Sequence, residues 1–203
     1  MNKNNEFGKH PSEEIQKIFS QRPFQIQKPE KAKIIFLGLD ANIDENIEHD
    51  KPFFDETLEY LRDGVKYWKS HEYHTPMLNL NYRGNGVRYH KQFCKLGITS
   101  NYAEDICFLE LLNFCTYGKS SGNPQFKEFL NGKSNQEHLE RIRNLSNMNK
   151  IICVSVGVRN YIDELRLFNT KNENIIVHTN FANAISNEEL KNLGSRLRKH
   201  LDN

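Results

Sequence analysis

A short buried strand that ends in a glycine and a carboxylate constrains this chain more than any other feature. The run from Ile34 to Leu37 (IIFL) is apolar on both faces and stops at Gly38. A strand that buries both faces is typical of a parallel sheet with helices on either side. Glycine allows a sharp turn, and Asp40 then emerges at the carboxyl end of the strand, the edge where α/β sheets bind ligands. Asp40 is therefore either a catalytic group or a turn-forming cap.

Further strands alternate with helices along the chain. Strands are predicted over Ile106–Leu112, Lys150–Gly157 and Ile175–Val177, and helices over Glu56–Ser70, Gly86–Leu96, Val158–Phe168 and Glu188–Leu201. This alternation predicts an α/β fold, a three-layer α/β/α sandwich with a central, mostly parallel four-stranded sheet. The 203 residues suffice for one domain with a sizeable core. We expect residues 1–10, which are polar, to be frayed.

Several functional classes lack their sequence signatures. The four cysteines are Cys94, Cys107, Cys115 and Cys153. None forms a C-x-x-C pair, which argues against a zinc ribbon or an iron–sulfur cluster and favours free, buried thiols in a cytoplasmic protein. His71 and His74 have no evident third ligand, so we expect neither a metal nor a cofactor.

Other signatures are missing as well. The glycine-rich nucleotide motifs and the Gly-x-Ser-x-Gly elbow of serine hydrolases do not occur. The polar N-terminus argues against a signal peptide. Because no run approaches about 18 apolar residues, we expect no membrane span.

Positive charge is concentrated in one stretch. Overall, 28 lysines and arginines against 26 acidic residues give a net charge of +2, which neither requires nor excludes nucleic acid. The segment from Tyr73 to Ala103, however, contains no acidic residue and carries Arg83, Arg88, Lys91 and Lys95. This segment could contact a phosphate backbone, or it could be an ordinary solvated loop face.

Polar residues follow three of the four predicted strands. Asp40 follows the first strand, Asn113 the second and His178 the fourth. Each residue alone has a structural explanation, since Asp and Asn favour turns and a histidine beside a strand is often structural. Together, at matching strand ends, they predict one cleft.

At these positions the chain resembles the uracil-DNA glycosylase superfamily, roughly from Lys33 to Ala184. The motifs that carry the resemblance are Gly38–Asn42 (GLDAN), Gly86–Phe93 (GVRYHKQF), Leu111–Asn113 (LLN), Ile152–Gly157 and His178–Phe181 (HTNF). No single motif is specific, and the inference depends on their order and strand contexts. The resemblance implies a monofunctional DNA N-glycosylase of base excision repair that removes uracil or a related deaminated base.

The resemblance also implies roles for individual residues. Asp40 would orient the attacking water and stabilise the sugar cation, and His178 would donate a hydrogen bond to the leaving base. Asn113 would read the edge of the base, with Gly38, Leu39 and Asn42 around it. Phe53 or Phe54 would stack on the base, although both could equally be core residues. DNA contacts would come from Arg83, Arg88, Lys91, Lys119, Ser120, Thr179, Asn180 and Phe181. Because the base must leave the duplex, base flipping is expected.

Two motifs depart from the family pattern. Ala41 and Asn42 replace the proline and tyrosine of the best-known branch, where the tyrosine excludes the methyl group of thymine. Thr179 and Asn180 replace a proline and serine after the histidine. Two alternatives therefore stay open: a nucleic-acid-binding homologue with lost or altered catalysis, and a small-molecule-binding α/β enzyme. We expect the protein to be a cytoplasmic monomer whose partner is DNA.

Overall fold

The computed structural model describes residues 6–79, 82–84, 86–179, 181 and 185–203. In chain order its strands and helices are β1 (Phe7–Lys9), α1 (Glu13–Gln21), β2 (Gln25–Ile26), β3 (Ile34–Gly38), β4 (Ala41–Asn42), α2 (Lys51–Arg62), α3 (Gly64–Ser70), α4 (Val87–Cys94), β5 (Ile106–Glu110), β6 (Cys115–Gly118), α5 (Pro124–Asn131), α6 (Lys133–Leu145), β7 (Ile151–Ser155), α7 (Val156–Leu165), β8 (Ile175–His178) and α8 (Asn187–Leu201). Short 3₁₀ helices span Ile47–His49, Pro76–Leu78 and Ser100–Asp105.

A five-stranded mixed sheet lies at the centre, in the order β2-β5-β3-β7-β8. The strands β5, β3, β7 and β8 are parallel, and β2 pairs antiparallel with β5 at the edge. The α/β class is therefore confirmed, but the predicted count of four strands is wrong. The strand β2 has only two residues, Gln25 and Ile26, too few to give a period-two pattern in the sequence. A separate three-stranded sheet has the order β1-β6-β4.

Helices cover both faces of the central sheet. Alternate residues of β3 point to opposite faces, so Ile34 and Phe36 belong to one buried cluster, while Ile35 and Leu37 belong to another. The first cluster includes buried residues of α1, α2, α3, α4 and α8, and the second includes buried residues of α5, α6 and α7. This arrangement is compatible with a three-layer α/β/α sandwich.

The segment before α1 is ordered by pairing with β6. Phe7–Lys9 forms β1, antiparallel to β6. His10 is buried, and its Nε2 donates a hydrogen bond to the Asp44 carbonyl at 2.9 Å. The expectation that residues 1–10 are frayed is therefore wrong for residues 7–10, because a three-residue edge strand is too short to recognise by pattern.

Two further comparisons with the sequence concern helices. The helix predicted over Glu56–Ser70 is two helices, α2 and α3, separated by Asp63. Within the described part of the chain, no helix is both long and apolar enough to cross a membrane.

Candidate active site

A cavity of about 560 Å³ opens at the carboxyl ends of β3, β5, β7 and β8. Asp40 and His178 both line it. The structure thus brings together two of the three strand-end residues that the sequence singled out. Gly38, Leu39 and Asn42 also line this cavity.

Asp40 is half-buried and held by several hydrogen-bond donors. Its Oδ2 accepts hydrogen bonds from Asn42 Nδ2 at 3.2 Å and from the Thr116 hydroxyl, and the carboxylate also accepts one from Ser120. Burial raises the pKa of Asp40, and these three donors oppose that rise. Asn42 is itself fixed by a bond from its Nδ2 to the Gly118 carbonyl at 2.6 Å. The result is an oriented carboxylate whose charged form is stabilised by hydrogen bonds.

His178 ends β8, opposite Ser155 of β7. Its Nδ1 lies 2.8 Å from the Thr179 carbonyl, and a carbonyl only accepts, so Nδ1 carries the hydrogen of this bond. The ring stacks on Phe181 at 4.4 Å between centroids. Burial lowers the pKa of His178, while the Thr179 carbonyl and the charge of Glu189 oppose that effect. In the neutral ring, Nε2 therefore has a lone pair and no hydrogen.

Glu110 is a second carboxyl group in the cavity, and the sequence-based reasoning missed it. It ends β5 opposite Gly38 of β3 and lines the cavity together with Asp40. Burial and, next, the charge of Asp40 raise the pKa of Glu110 well above its usual range. The signal in the sequence was available, because Glu110 is the only charged residue in the predicted strand Ile106–Leu112.

Asn113 lies apart from this cavity. Its Nδ2 donates to the Ser134 carbonyl at 2.8 Å, and its backbone N–H donates to Asn135 Oδ1 at 3.1 Å. The side chain therefore fastens the loop after β5 to the start of α6, and Asn113 is not among the residues that line the cavity. The predicted role of Asn113 in reading the base finds no support in this position.

The aromatic residues in the cavity are not those expected from the sequence. Phe53 stacks on Tyr82 at 4.5 Å beside a separate small apolar pocket, and Phe54 is a core residue that is 7% exposed. Tyr89 and Phe108 line the main cavity instead. These two rings give the cavity an aromatic wall.

Phe181 corrects a sequence-based prediction. Its side chain is 0% exposed and packs on Tyr89 and Phe36 at 5.1 and 6.4 Å between ring centroids. It is a core residue, so it is not placed to contact DNA. Thr179 is half-buried, and its backbone N–H donates to Glu189 at 2.9 Å. Asn180, also predicted to contact DNA, lies outside the described residues.

The predicted basic contacts lie on two segments near the cavity. Arg83 is exposed, and its guanidinium donates to the Tyr82 carbonyl at 2.9 Å. Arg88 and Lys91 are exposed on α4, the helix that contributes Tyr89 to the cavity wall. Lys119 is exposed, and the neighbouring Ser120 is half-buried against Asp40.

A buried histidine pair lies behind the cavity. His90 lines the cavity, and its Nδ1 is 2.8 Å from His74 Nε2. Burial lowers the pKa of His90 to about 3 and, together with the charge of His90, lowers that of His74 well below its usual value. Both rings are therefore neutral at physiological pH and share one hydrogen in the bond between them.

The described residues contain no group of three or more His, Cys, Asp or Glu side chains arranged to hold a metal ion. No protein-family model, curated protein or solved structure matches this chain. The interpretation of the site therefore rests on its own residues and their geometry.

Proposed function

We propose that the protein is a DNA glycosylase that hydrolyses the N-glycosidic bond of uracil or a related deaminated base, after the base is flipped into the cavity. The observation that carries this proposal is the meeting of Asp40 and His178 in one strand-end cavity of about 560 Å³. Such a volume is within the range of small-molecule sites. The parallel strands covered by helices on both faces are consistent with a uracil-DNA glycosylase-like α/β/α sandwich.

The chemistry requires a negative group near the sugar and a polar environment for the base. As the C1′–N bond breaks, its electron pair goes to the base, and the sugar becomes oxocarbenium-like. The Asp40 carboxylate stabilises that positive charge and orients a water molecule, whose oxygen then bonds to C1′ while Asp40 takes the proton that the water releases. Neutral His178 accepts an N–H of the base at Nε2, and it donates there only when protonated.

The surroundings support a DNA substrate. Arg83, Arg88, Lys91 and Lys119 are exposed around α4 and the loop after β6, where they would neutralise phosphates. Tyr89 and Phe108 line the cavity, and their rings would form apolar contacts with a flipped base. We expect a cytoplasmic monomer that acts without a bound metal or cofactor.

The test is single-turnover excision from oligonucleotides that contain uracil, hypoxanthine or xanthine, in single strands and duplexes, followed by alkaline cleavage. Asp40→Asn should slow excision by roughly 10²- to 10⁴-fold, the range for a positioned acid–base group, while DNA affinity in a gel-shift assay changes little. Asp55→Asn is the matched control, because Asp55 is exposed and pairs with Lys51 on α2.

The other outcomes separate the alternatives. Binding without excision of any of the three bases would favour a nucleic-acid-binding homologue with lost or altered catalysis, a possibility that the burial of Phe181 keeps open. Absence of salt-dependent DNA binding would favour a small-molecule enzyme. An unchanged excision rate in Asp40→Asn would remove Asp40 from the mechanism.

A further inference from the structure

Glu110 lies in the same cavity as the predicted catalytic residues Asp40 and His178, and it can perform a function that neither of them performs. We infer that the Glu110 carboxyl group donates a hydrogen bond to an oxygen of the base in the cavity, and so stabilises the base as it leaves. This inference rests on the proposed function for its catalytic part, and on the cavity alone for its binding part.

Glu110 is placed by a close fit against β3. A Cβ built at residue 38 would lie 2.0 Å from Glu110 Oε2, so glycine leaves the carboxyl group room at this place and a larger residue would displace it. The strand end is fixed, because His138 Nε2 donates to the Glu110 carbonyl at 2.8 Å and Leu111 N donates to the Gly38 carbonyl at 3.0 Å. The backbone that carries this carboxyl group is thus fixed at the cavity wall, where the charge of Asp40 acts on it.

The groups around Glu110 favour its protonated form. Asp40, which follows β3, is the charged neighbour that raises the pKa of Glu110, in addition to burial. The other titratable groups whose pKa values the charge of Glu110 raises are Tyr60 of α2, Tyr89 of α4, Cys115 of β6 and, on the other face of the sheet, Cys107 of its own strand. His90 and His178 line the same cavity, and Lys127 and Glu164 at its edge pair with each other at 3.1 Å. A carboxylic acid that keeps its proton is a hydrogen-bond donor.

Neutral His178 does not offer the base a hydrogen-bond donor. Its hydrogen lies on Nδ1, bonded to the Thr179 carbonyl, and its Nε2 carries a lone pair. Negative charge collects on the oxygens of the base as the glycosidic bond breaks, and a donor placed there stabilises the transition state. The Glu110 O–H can fill this place. If its proton transfers fully, the base leaves neutral and solvent restores the proton on Glu110.

Two substitutions at Glu110 test the inference through the pH dependence of excision. The wild-type single-turnover rate should fall with rising pH as Glu110 loses its proton and becomes an acceptor only. The ratio of the wild-type rate to the Glu110→Gln rate separates this fall from the titration of His178. Glu110→Gln retains a donor and cannot ionise, so its rate should stay within about tenfold of wild type at low pH and should lack the alkaline fall. Glu110→Leu should lose roughly 10²- to 10³-fold, the usual effect of removing one such donor. Glu104→Gln, which alters an exposed carboxylate paired with Lys69, should keep the wild-type profile.

A binding measurement separates this inference from the proposed function. Free uracil and hypoxanthine are titrated into the protein, with circular dichroism verifying the fold of each variant. Binding that weakens with rising pH in wild type but not in Glu110→Gln supports the inference even if no base is excised from DNA, an outcome that would count against the glycosylase alone. A fall in excision rate with rising pH that is as steep in Glu110→Gln as in wild type, wild-type excision by Glu110→Leu, or no binding of either base would overturn it.

Discussion

At the scale of single residues, the hydrogen on the His178 ring decides what this histidine contributes. Nδ1 donates to the Thr179 carbonyl, and burial lowers the pKa of the ring. Nε2 can therefore donate to a base only when the ring is protonated, below its ordinary pKa of about 6.5. We expect His178→Ala to reduce excision more at pH about 5 than at pH about 8, measured as the ratio of wild-type to variant rate.

This ratio is informative because Glu110 and Asp40 titrate in both proteins, so their contributions cancel to first order. A ratio that stays large and constant from acidic to alkaline pH would mean that Nε2 carries the hydrogen and donates in the neutral ring. Long-range ¹⁵N spectra of the imidazole would identify the tautomer directly.

The residue scale is also where sequence reasoning was least complete. Asp40 and His178 could be found because each directly follows a strongly apolar strand, and the ends of parallel strands meet at one edge. The predicted strand runs to Leu112 and so places Asn113 at the strand end, whereas β5 ends at Glu110. An error of two residues in the strand end therefore moved the predicted polar group from the cavity to the α6 side of the sheet.

At the scale of elements, the break between α2 and α3 positions the edge of the sheet. The Asp63 side chain caps α3 by accepting from Lys66 N at 3.0 Å, and Gly64 then packs on β2. A Cβ at Gly64 would lie 2.7 Å from the Ile26 backbone, which cannot move as a side-chain end can. Gly64→Ala should therefore lower the free energy of unfolding by about 1–3 kcal/mol, the cost of overpacking, in urea denaturation.

Gly157→Ala provides the matched comparison for this prediction. Gly157 lies in the first turn of α7. A Cβ added there would have Ser155 Oγ as its nearest neighbour, at 3.9 Å. Alanine is the better helix former by up to about 1 kcal/mol, so this variant should be as stable as wild type or slightly more stable. Equal destabilisation of both variants would contradict the packing argument.

The sequence did not reveal the break between α2 and α3, because the apolar spacing continues across Asp63 and only the cap interrupts it.

At the scale of the whole molecule, the sequence predicts the long core strands of the α/β fold but does not predict the short strands that pair at their edges. Long apolar runs such as Ile34–Leu37 identify the parallel core, because they have no polar face to expose. The strands β1, β2 and β4 have three residues or fewer, and they exist only because longer strands offer them a hydrogen-bonding edge. Such pairing depends on tertiary contacts that local pattern does not contain.

The whole molecule also buries histidines in a way that predicts its response to acid. The five buried histidines with lowered pKa values are His10, His74, His90, His138 and His178. Desolvation is the largest cause for each, so the unfolded chain binds more protons than the folded protein just below pH about 6.5. Their stabilising contribution is complete above that pH and is lost as pH falls toward the folded pKa values. Glu110 has the opposite effect on stability. Because its pKa is raised in the folded protein, its contribution to the free energy of unfolding declines as pH rises.

We therefore expect the free energy of unfolding to decrease as pH falls from about 7 to about 5, with up to about 1.4 kcal/mol per pH unit for each histidine. His90→Gln should reduce this slope, since the pKa of His90 is lowered to about 3 and the ring stays neutral throughout the range. His49→Gln, at an exposed position, is the control for removing a histidine as such. Urea denaturation at several pH values measures all three proteins. A wild-type stability that is flat over this range would mean that the buried rings gain protons without unfolding, and that the cavity wall around His90 and His178 admits water.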